Sequence, residues 1–543
     1  MHLYPHAEVL FAGKTFFEGS GESRMSASQD KKRRSDERVL GTERRQVASQ
    51  KEAKERKQSK IKWTVGTVIV VLLVVAILLG NSSLFYTARP ALQVGDVKYS
   101  SAEVNYAYRT AYLSFCNQYS SILSSIGFDT KKPLDEQKCT ISEEFDTWDD
   151  YFKNAAKQNL VQVTALCDAA EKAGITLDED DQHEVDEQFS YIELSAKQYK
   201  YSSVSKYLQA VYGNGVTKKV ARHMLELSQL ASKYSQQQYD SYTYTDEQIA
   251  SEYAADPNSY DAVTYRQFLV SDAMFQTDST DTEDDDAEAE AETLSDEELT
   301  ALKEELASKM AADTQGDEQA FIDQAYENCL ESAKETYAED SATLKENQLY
   351  SSLSTDVADW LFDAGRAEGD TTYIATDSVY YVLYFVSRST NDYQLPNVRH
   401  ILFSVSDTTD ETAMDEARTK AEDVLTEYEA GDKTAESFGE LAKEYTSDSN
   451  GDEGGLYENI MPGQMVTEFN DWCFDADRKP GDTGIIETSY GVHVMYFDSF
   501  GKIYRDALVE NALRSADYNA WYDATAGDGS YTTSAFGMKY TTK

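Results

Sequence analysis

Six histidines occur in 543 residues, and His400 sits at the mouth of an apolar run, "NVRHILFSVSD" (397–407). A lone strand histidine is most simply a satisfied core imidazole. A second, His493, lies some ninety residues downstream in "TSYGVHVMY" (488–496), and Asp448 falls between them in "YTSDSNGDEGGLY" (445–457). Imidazole and carboxylate side chains can move protons or polarise a bound carbonyl. They can equally form a buried hydrogen-bonded network that only holds a fold together. Metal chemistry is disfavoured. Cys116, Cys139, Cys167, Cys329 and Cys473 show neither C-x-x-C spacing nor clustering with histidine. Cys116 and Cys139 flank one loop-like stretch and are the pair an oxidising exterior could join. The other reading for them is that of small buried hydrophobes, and Cys473, between Trp472 and Phe474, reads as core.

The elements that would position these groups repeat. "DVADWLFDAGRAEGDTTYIATDSVYYVLYFVS" (356–387) and "EFNDWCFDADRKPGDTGIIETSYGVHVMYFDS" (468–499) correspond at a constant offset of 112 residues, and "VTYRQFLVSD" (263–272) corresponds to the start at 397. Two copies of one domain are therefore expected in tandem. In the second, helices are predicted at 412–431, 437–446 and 466–475, then a hairpin turning around Ser489–Gly491. The pattern is a small α+β sandwich. The first copy carries the acidic low-complexity stretch 278–298, expected to be a solvated loop.

Upstream, helical patterns run through 150–175, 177–213, 217–242 and 244–261. They follow a strand-like piece and a capped helix start in "VGDVKYSSAEV" (94–104). Before them, "WTVGTVIVVLLVVAILLG" (63–80) is uncharged and long enough to cross a bilayer. It lies too far into the chain for a cleaved signal peptide, and no cysteine follows it to take a lipid. Residues 1–62 hold fifteen Lys/Arg against nine Asp/Glu, leaving 35 against 88 beyond. The basic flank places the N-terminus in the cytoplasm and the acidic bulk outside. Nucleic-acid binding needs a basic surface and is excluded for that bulk.

The order of elements around "VRHIL", "GGLY", "GQMVTEF", "KPGDTG" and "TSYGVHVM" resembles the parvulin family of peptidyl-prolyl isomerases, over about a fifth of the chain. The resemblance implies that His400, Asp448 and His493 form the catalytic polar group, and that Leu456, Met465 and Phe469 floor a proline pocket. Tyr490 falls where the family has a small or polar hinge residue. No cofactor or metal is implied. The first copy departs from the pattern, with Gln267 for His400, Tyr381 for His493, Val357 for Phe469 and Leu353 for Met465. It is expected to keep the fold without the activity. The flanking helices resemble extracytoplasmic foldases of the PrsA and SurA type, whose PrsA members carry a lipid anchor in place of a transmembrane helix.

The expected architecture is an α+β multidomain chain. It comprises a basic cytoplasmic tail (1–62), a transmembrane helix (63–83) and a helical chaperone domain (84–260). A degenerate parvulin-like domain (261–390), a parvulin domain (391–501) and a C-terminal helix packed on the chaperone domain (502–543) follow. The expected function is prolyl isomerisation and chaperoning of unfolded secreted polypeptides by a single-pass, membrane-anchored protein. The alternative is a non-catalytic peptide-binding holdase or envelope scaffold. An adaptor gathering wall cations has only bulk charge behind it.

Overall fold

The computed structural model describes residues 62–74, 82–275, 294–376, 378–527 and 529–541. These fall into two compact units, residues 1–230 with 529–543, and residues 231–528. Residues 62–74 are helical, with Trp63, Val65 and Val68 to Val74 exposed. Residues 75–81, the rest of the basic tail and residues 276–293 of the acidic stretch lie outside the described residues. Among the described residues no helix is long and apolar enough to cross a membrane, and the expected transmembrane helix 63–83 is not shown.

In the first unit, strands β1 (Pro90–Val94) and β2 (Val97–Ser100) form a hairpin. Ser100 and Glu103 then close a capping box that starts helix Ser101–Gln118. Helix Trp148–Lys172 packs against it through Trp148, Phe152 and Leu160, which share one core with Phe115 and Phe128. The pattern at 177–213 is two helices, Glu179–Gln198 and Val204–Tyr212. The break comes where Lys200 adopts a left-handed φ of 58° and Ser203 caps the second helix. The tail, read as one helix, instead ends in strand Tyr531–Thr533, which pairs with β1, and a short helix Ala535–Met538.

In the second unit, the 112-residue repeat becomes two sheets of identical order. The first is built from β3 (Ala262–Ser271), β4 (Leu344–Leu349), β5 (Thr371–Ala375) and β6 (Val379–Ser389), in the order β4-β3-β6-β5. The second uses β7 (Gln394–Ser404), β8 (Leu456–Tyr457), β9 (Thr483–Thr488) and β10 (Gly491–Ile503), in the order β8-β7-β10-β9. The registers match residue for residue: Gln267 faces Leu383 and His400 faces Met495, while Leu269 faces Tyr381 and Leu402 faces His493. Leu344 and Leu456 likewise stand opposite Arg266 and Arg399. Helix Tyr504–Tyr522 sets Tyr518 edge-to-face with Tyr239 and Trp521 edge-to-face with Tyr234, and Asp517 accepts a hydrogen bond from Tyr244 at 2.8 Å.

Strand alternation divides the second sheet's residues. Ile401, Val492, Val494 and Tyr496 face helices Glu411–Ala430 and Ala435–Tyr445, burying Met414, Ala421, Phe438 and Ala442. Val398, His400, Leu402, His493, Met495 and Phe497 face the other way. There Val398, Met495 and Phe497 meet Phe469 and Cys473 of helix Thr467–Phe474. All five cysteines are free thiols, Cys116 and Cys139 included. Cys473 is buried, and that burial pushes its pKa up to about 12.

Candidate functional site

His400 and His493 stand on adjacent central strands and point to the same face, so their rings stack 5.3 Å apart at 21°. Their Nδ1 atoms are 3.1 Å apart. His400 Nε2 lies 2.9 Å from Asp448 Oδ2, with that oxygen off the axis of the ring N–H. His493 Nε2 lies 2.9 Å from Thr488 Oγ1, which accepts the Tyr490 backbone N–H at 3.1 Å.

These contacts fix one self-consistent set of protons. An ionised carboxylate beside His400 Nε2 requires the proton there, so His400 Nδ1 accepts and His493 Nδ1 donates. His493 Nε2 then accepts from the Thr488 hydroxyl. Both rings are neutral in this arrangement. Burial pushes the His400 pKa down against the pull of Asp448. Burial first, and His400 second, push His493 down to about 4. Burial works to raise the Asp448 pKa, yet the Ser449 N–H, the Tyr457 hydroxyl and His400 outweigh it and hold the carboxyl below its usual range. Tyr457 donates to Asp448 Oδ2 at 3.0 Å, and its own pKa is pushed up to about 12 by burial and by that carboxylate.

Glycines let the two loops come this close. Gly455 has φ 67°, accepts the His400 N–H at its carbonyl at 2.9 Å, and would place a Cβ 2.2 Å from the His400 oxygen. Gly491, at φ 133°, follows the hairpin turn, where a Cβ would lie 2.2 Å from the Phe403 oxygen. Arg399 ties down the glycine loop by donating to the Gly454 carbonyl at 3.1 Å while paired with Asp498 at 2.8 Å. Arg266 has the same job in the first sheet, donating to the Asp340 carbonyl and pairing with Glu318.

Beside the imidazoles is a cavity of about 290 Å³ lined by His400, Asp448, His493, Met465, Phe469 and Tyr490, with Leu402, Tyr457, Gln464 and Val466 completing the wall. Phe469 presents its edge to both imidazoles, at 5.4 and 5.7 Å. Of the residues expected here, six line the cavity and Leu456 does not. The correction follows from parity. Leu456 pairs with Arg399 and faces away, whereas Tyr457 pairs with Val398 and faces the slot. Tyr457 and Thr488 were missed from the sequence. The signal for both was strand alternation, counted from His400 and from His493. The corresponding face of the first sheet packs Tyr265, Val357, Leu383 and Phe385 with Leu353 and Tyr381 in one apolar cluster.

Residues 381–498 match the family model described as a PPIC-type PPIase domain. The chain thus carries a parvulin-type isomerase domain. It is similar to foldase protein PrsA 1 of Listeria monocytogenes serotype 4b, with 32% identity over 99 residues, 18% of this chain and 28% of that protein. The chain therefore spans little more than a quarter of the curated relatives it matches. Among solved structures, PrsA from Bacillus subtilis matches with 12% identity and a TM-score of 0.26, over 72% of this chain and 90% of that one. A SurA-like chaperone from Campylobacter jejuni, from a study of PEB4 and Cj1289, matches with 13% identity and a TM-score of 0.17, over 65% and 84%.

Proposed function

We propose that the protein is a peptidyl-prolyl cis–trans isomerase and chaperone acting on unfolded polypeptides outside the cytoplasmic membrane. The observation that carries the reading is the apolar slot of Met465, Phe469, Leu402 and Val466 set against a neutral, hydrogen-bonded imidazole pair. Rotation about an X–Pro bond meets a barrier of about 18–20 kcal/mol, because resonance stiffens the C–N bond. No covalent bond has to break, so neither nucleophile nor cofactor is needed. A proline ring held in the slot leaves its amide in a dry site. The planar, charge-separated amide is stabilised less there than in water, while the twisted form loses little. Each 1.36 kcal/mol of that difference is about tenfold in rate.

The roles follow from placement. Met465 and Phe469 grip the ring, and Tyr490 flanks the mouth. His400, Asp448 and His493 polarise and shape the site without exchanging protons with the substrate, since both nitrogens of His493 are hydrogen-bonded and His400 is held through Nδ1 with Nε2 against the Asp448 carboxylate. The first sheet serves as a spacer or binding surface. The helical region 84–260 and the tail hold extended clients loosely. The apolar segment 63–83 anchors the chain, with residues 1–62 cytoplasmic and the acidic bulk outside.

A protease-coupled exchange assay on an Ala–Pro peptide tests the enzymatic part with the whole chain. The wild type should exceed background and Met465→Ala should fall well below it. Equal rates at background for both would leave only the holdase reading. Suppression of aggregation of an unfolded client by that variant, at wild-type level, would separate chaperoning from catalysis.

A further inference from the structure

Two loops that adjoin the slot are acidic. One is the loop after β7, where Val405 donates to the Tyr490 carbonyl at 2.9 Å and exposed Asp407 follows. The other is the loop from Asp448 to Tyr457, with exposed Asp452 and Glu453. No Lys or Arg occurs between residues 400 and 417 or between 445 and 477. The nearest arginines are committed: Arg399 to Asp498 at 2.8 Å, and Arg418 to Glu487 at 2.7 Å and to Asp415. Asp448 is the one ionised residue in the lining. Both loops adjoin slot residues, Tyr490 in one case and Asp448 with Tyr457 in the other, and the charge they carry is negative. Tyr490, 60% exposed in the slot lining, offers a ring face over which a cation can lie.

We propose that this slot selects prolyl bonds flanked by basic residues and discriminates against those flanked by acidic or phosphorylated ones. The inference rests on the isomerase reading above and names the substrate class of that site. Its size follows from elementary electrostatics. A carboxylate about 7 Å away through water shifts a unit charge's binding by about threefold, and exchanging Lys for Glu counts that factor twice. With screening, the ratio of exchange rates for Lys–Pro over Glu–Pro peptides should be about fivefold at low salt and shrink toward one at high salt.

The test is exchange spectroscopy with the full chain on three peptides differing only in Lys, Ala or Glu before proline, at two ionic strengths. The expected order is Lys above Ala above Glu, with the spread collapsing in salt. A Glu–Pro rate equal to or above Lys–Pro, or a spread indifferent to salt, overturns the inference and leaves the isomerase reading intact. Background rates for all three, Ala–Pro included, overturn the isomerase reading itself and this inference with it. In Asp452→Lys/Glu453→Lys the Lys-to-Glu ratio should fall at least threefold, and an unchanged ratio in a folded variant counts against the inference. Asp407→Lys on the other loop gives the same readout should the double variant fail to fold.

Discussion

The neutral histidine pair makes the second sheet sensitive to acid in a way that can be calculated. Unfolded, His493 takes up a proton near pH 6.5; folded, it resists until about pH 4, because burial and the neighbouring His400 both disfavour its charge. Between those values the unfolded chain holds more protons. Stability from this residue is therefore fully present above pH 6.5 and is lost as pH falls toward 4. Two and a half pH units correspond to about 3 kcal/mol, and His400, shifted in the same direction, adds to the loss. Carboxylates titrate nearby in pH, so the informative quantity is the difference between wild type and His493→Gln, which lacks the titrating ring. Hydrogen exchange of the β7 and β10 amides in the intact protein measures the opening free energy of this sheet. Going from pH 6.5 to 4.5, the wild type should lose on the order of 2 kcal/mol more than the variant. Equal losses, or an NMR titration placing His493 near 6.5, would refute the assignment of a buried neutral pair.

Three further outcomes follow from the site's construction. Gly455→Ala should destabilise this domain by about 2 kcal/mol or more, read by denaturant unfolding, since the left-handed backbone and the His400 carbonyl both oppose a Cβ. Phe469→Ala removes a ring that is 3% exposed and touches both imidazoles; it should cost about 3–5 kcal/mol of domain stability and bring exchange near background. Thr488→Val keeps the shape but takes the hydroxyl from His493 Nε2 and the Tyr490 N–H. It should cost about 1–3 kcal/mol and lower the exchange rate, with the loss in kcat rather than KM.

Much of this was legible in the chain because the physics was local or repeated. The 112-residue offset survives as matching strand registers, since a one-residue slip would have turned every buried side chain to water. Ser100 with Glu103, and Gly174 with its φ of 75°, mark helix ends where their chemistry says they should. Parity at the two-residue strand β8 was harder to read. The pattern did not say whether Leu456 or Tyr457 faced inward, and register with β7 decided it. The break at Lys200 was hidden by apolar periodicity running through it, and only a left-handed backbone at a non-glycine residue marks it. The pairing of Tyr531–Thr533 with β1 links residues more than four hundred apart in sequence, beyond the reach of any local signal.

The central claim is that the slot lowers the barrier to prolyl rotation, and does not merely hold peptide. Two-dimensional NMR exchange on one Ala–Pro peptide, with catalytic amounts of the whole chain, tests it most directly. The account predicts that cis-to-trans and trans-to-cis rates rise by the same factor, leaving the cis:trans ratio unchanged, and that Met465→Ala abolishes most of the rise. Exchange at the uncatalysed rate, with the peptide's resonances broadened or its cis:trans ratio shifted by stoichiometric protein, would contradict it and identify a binding protein.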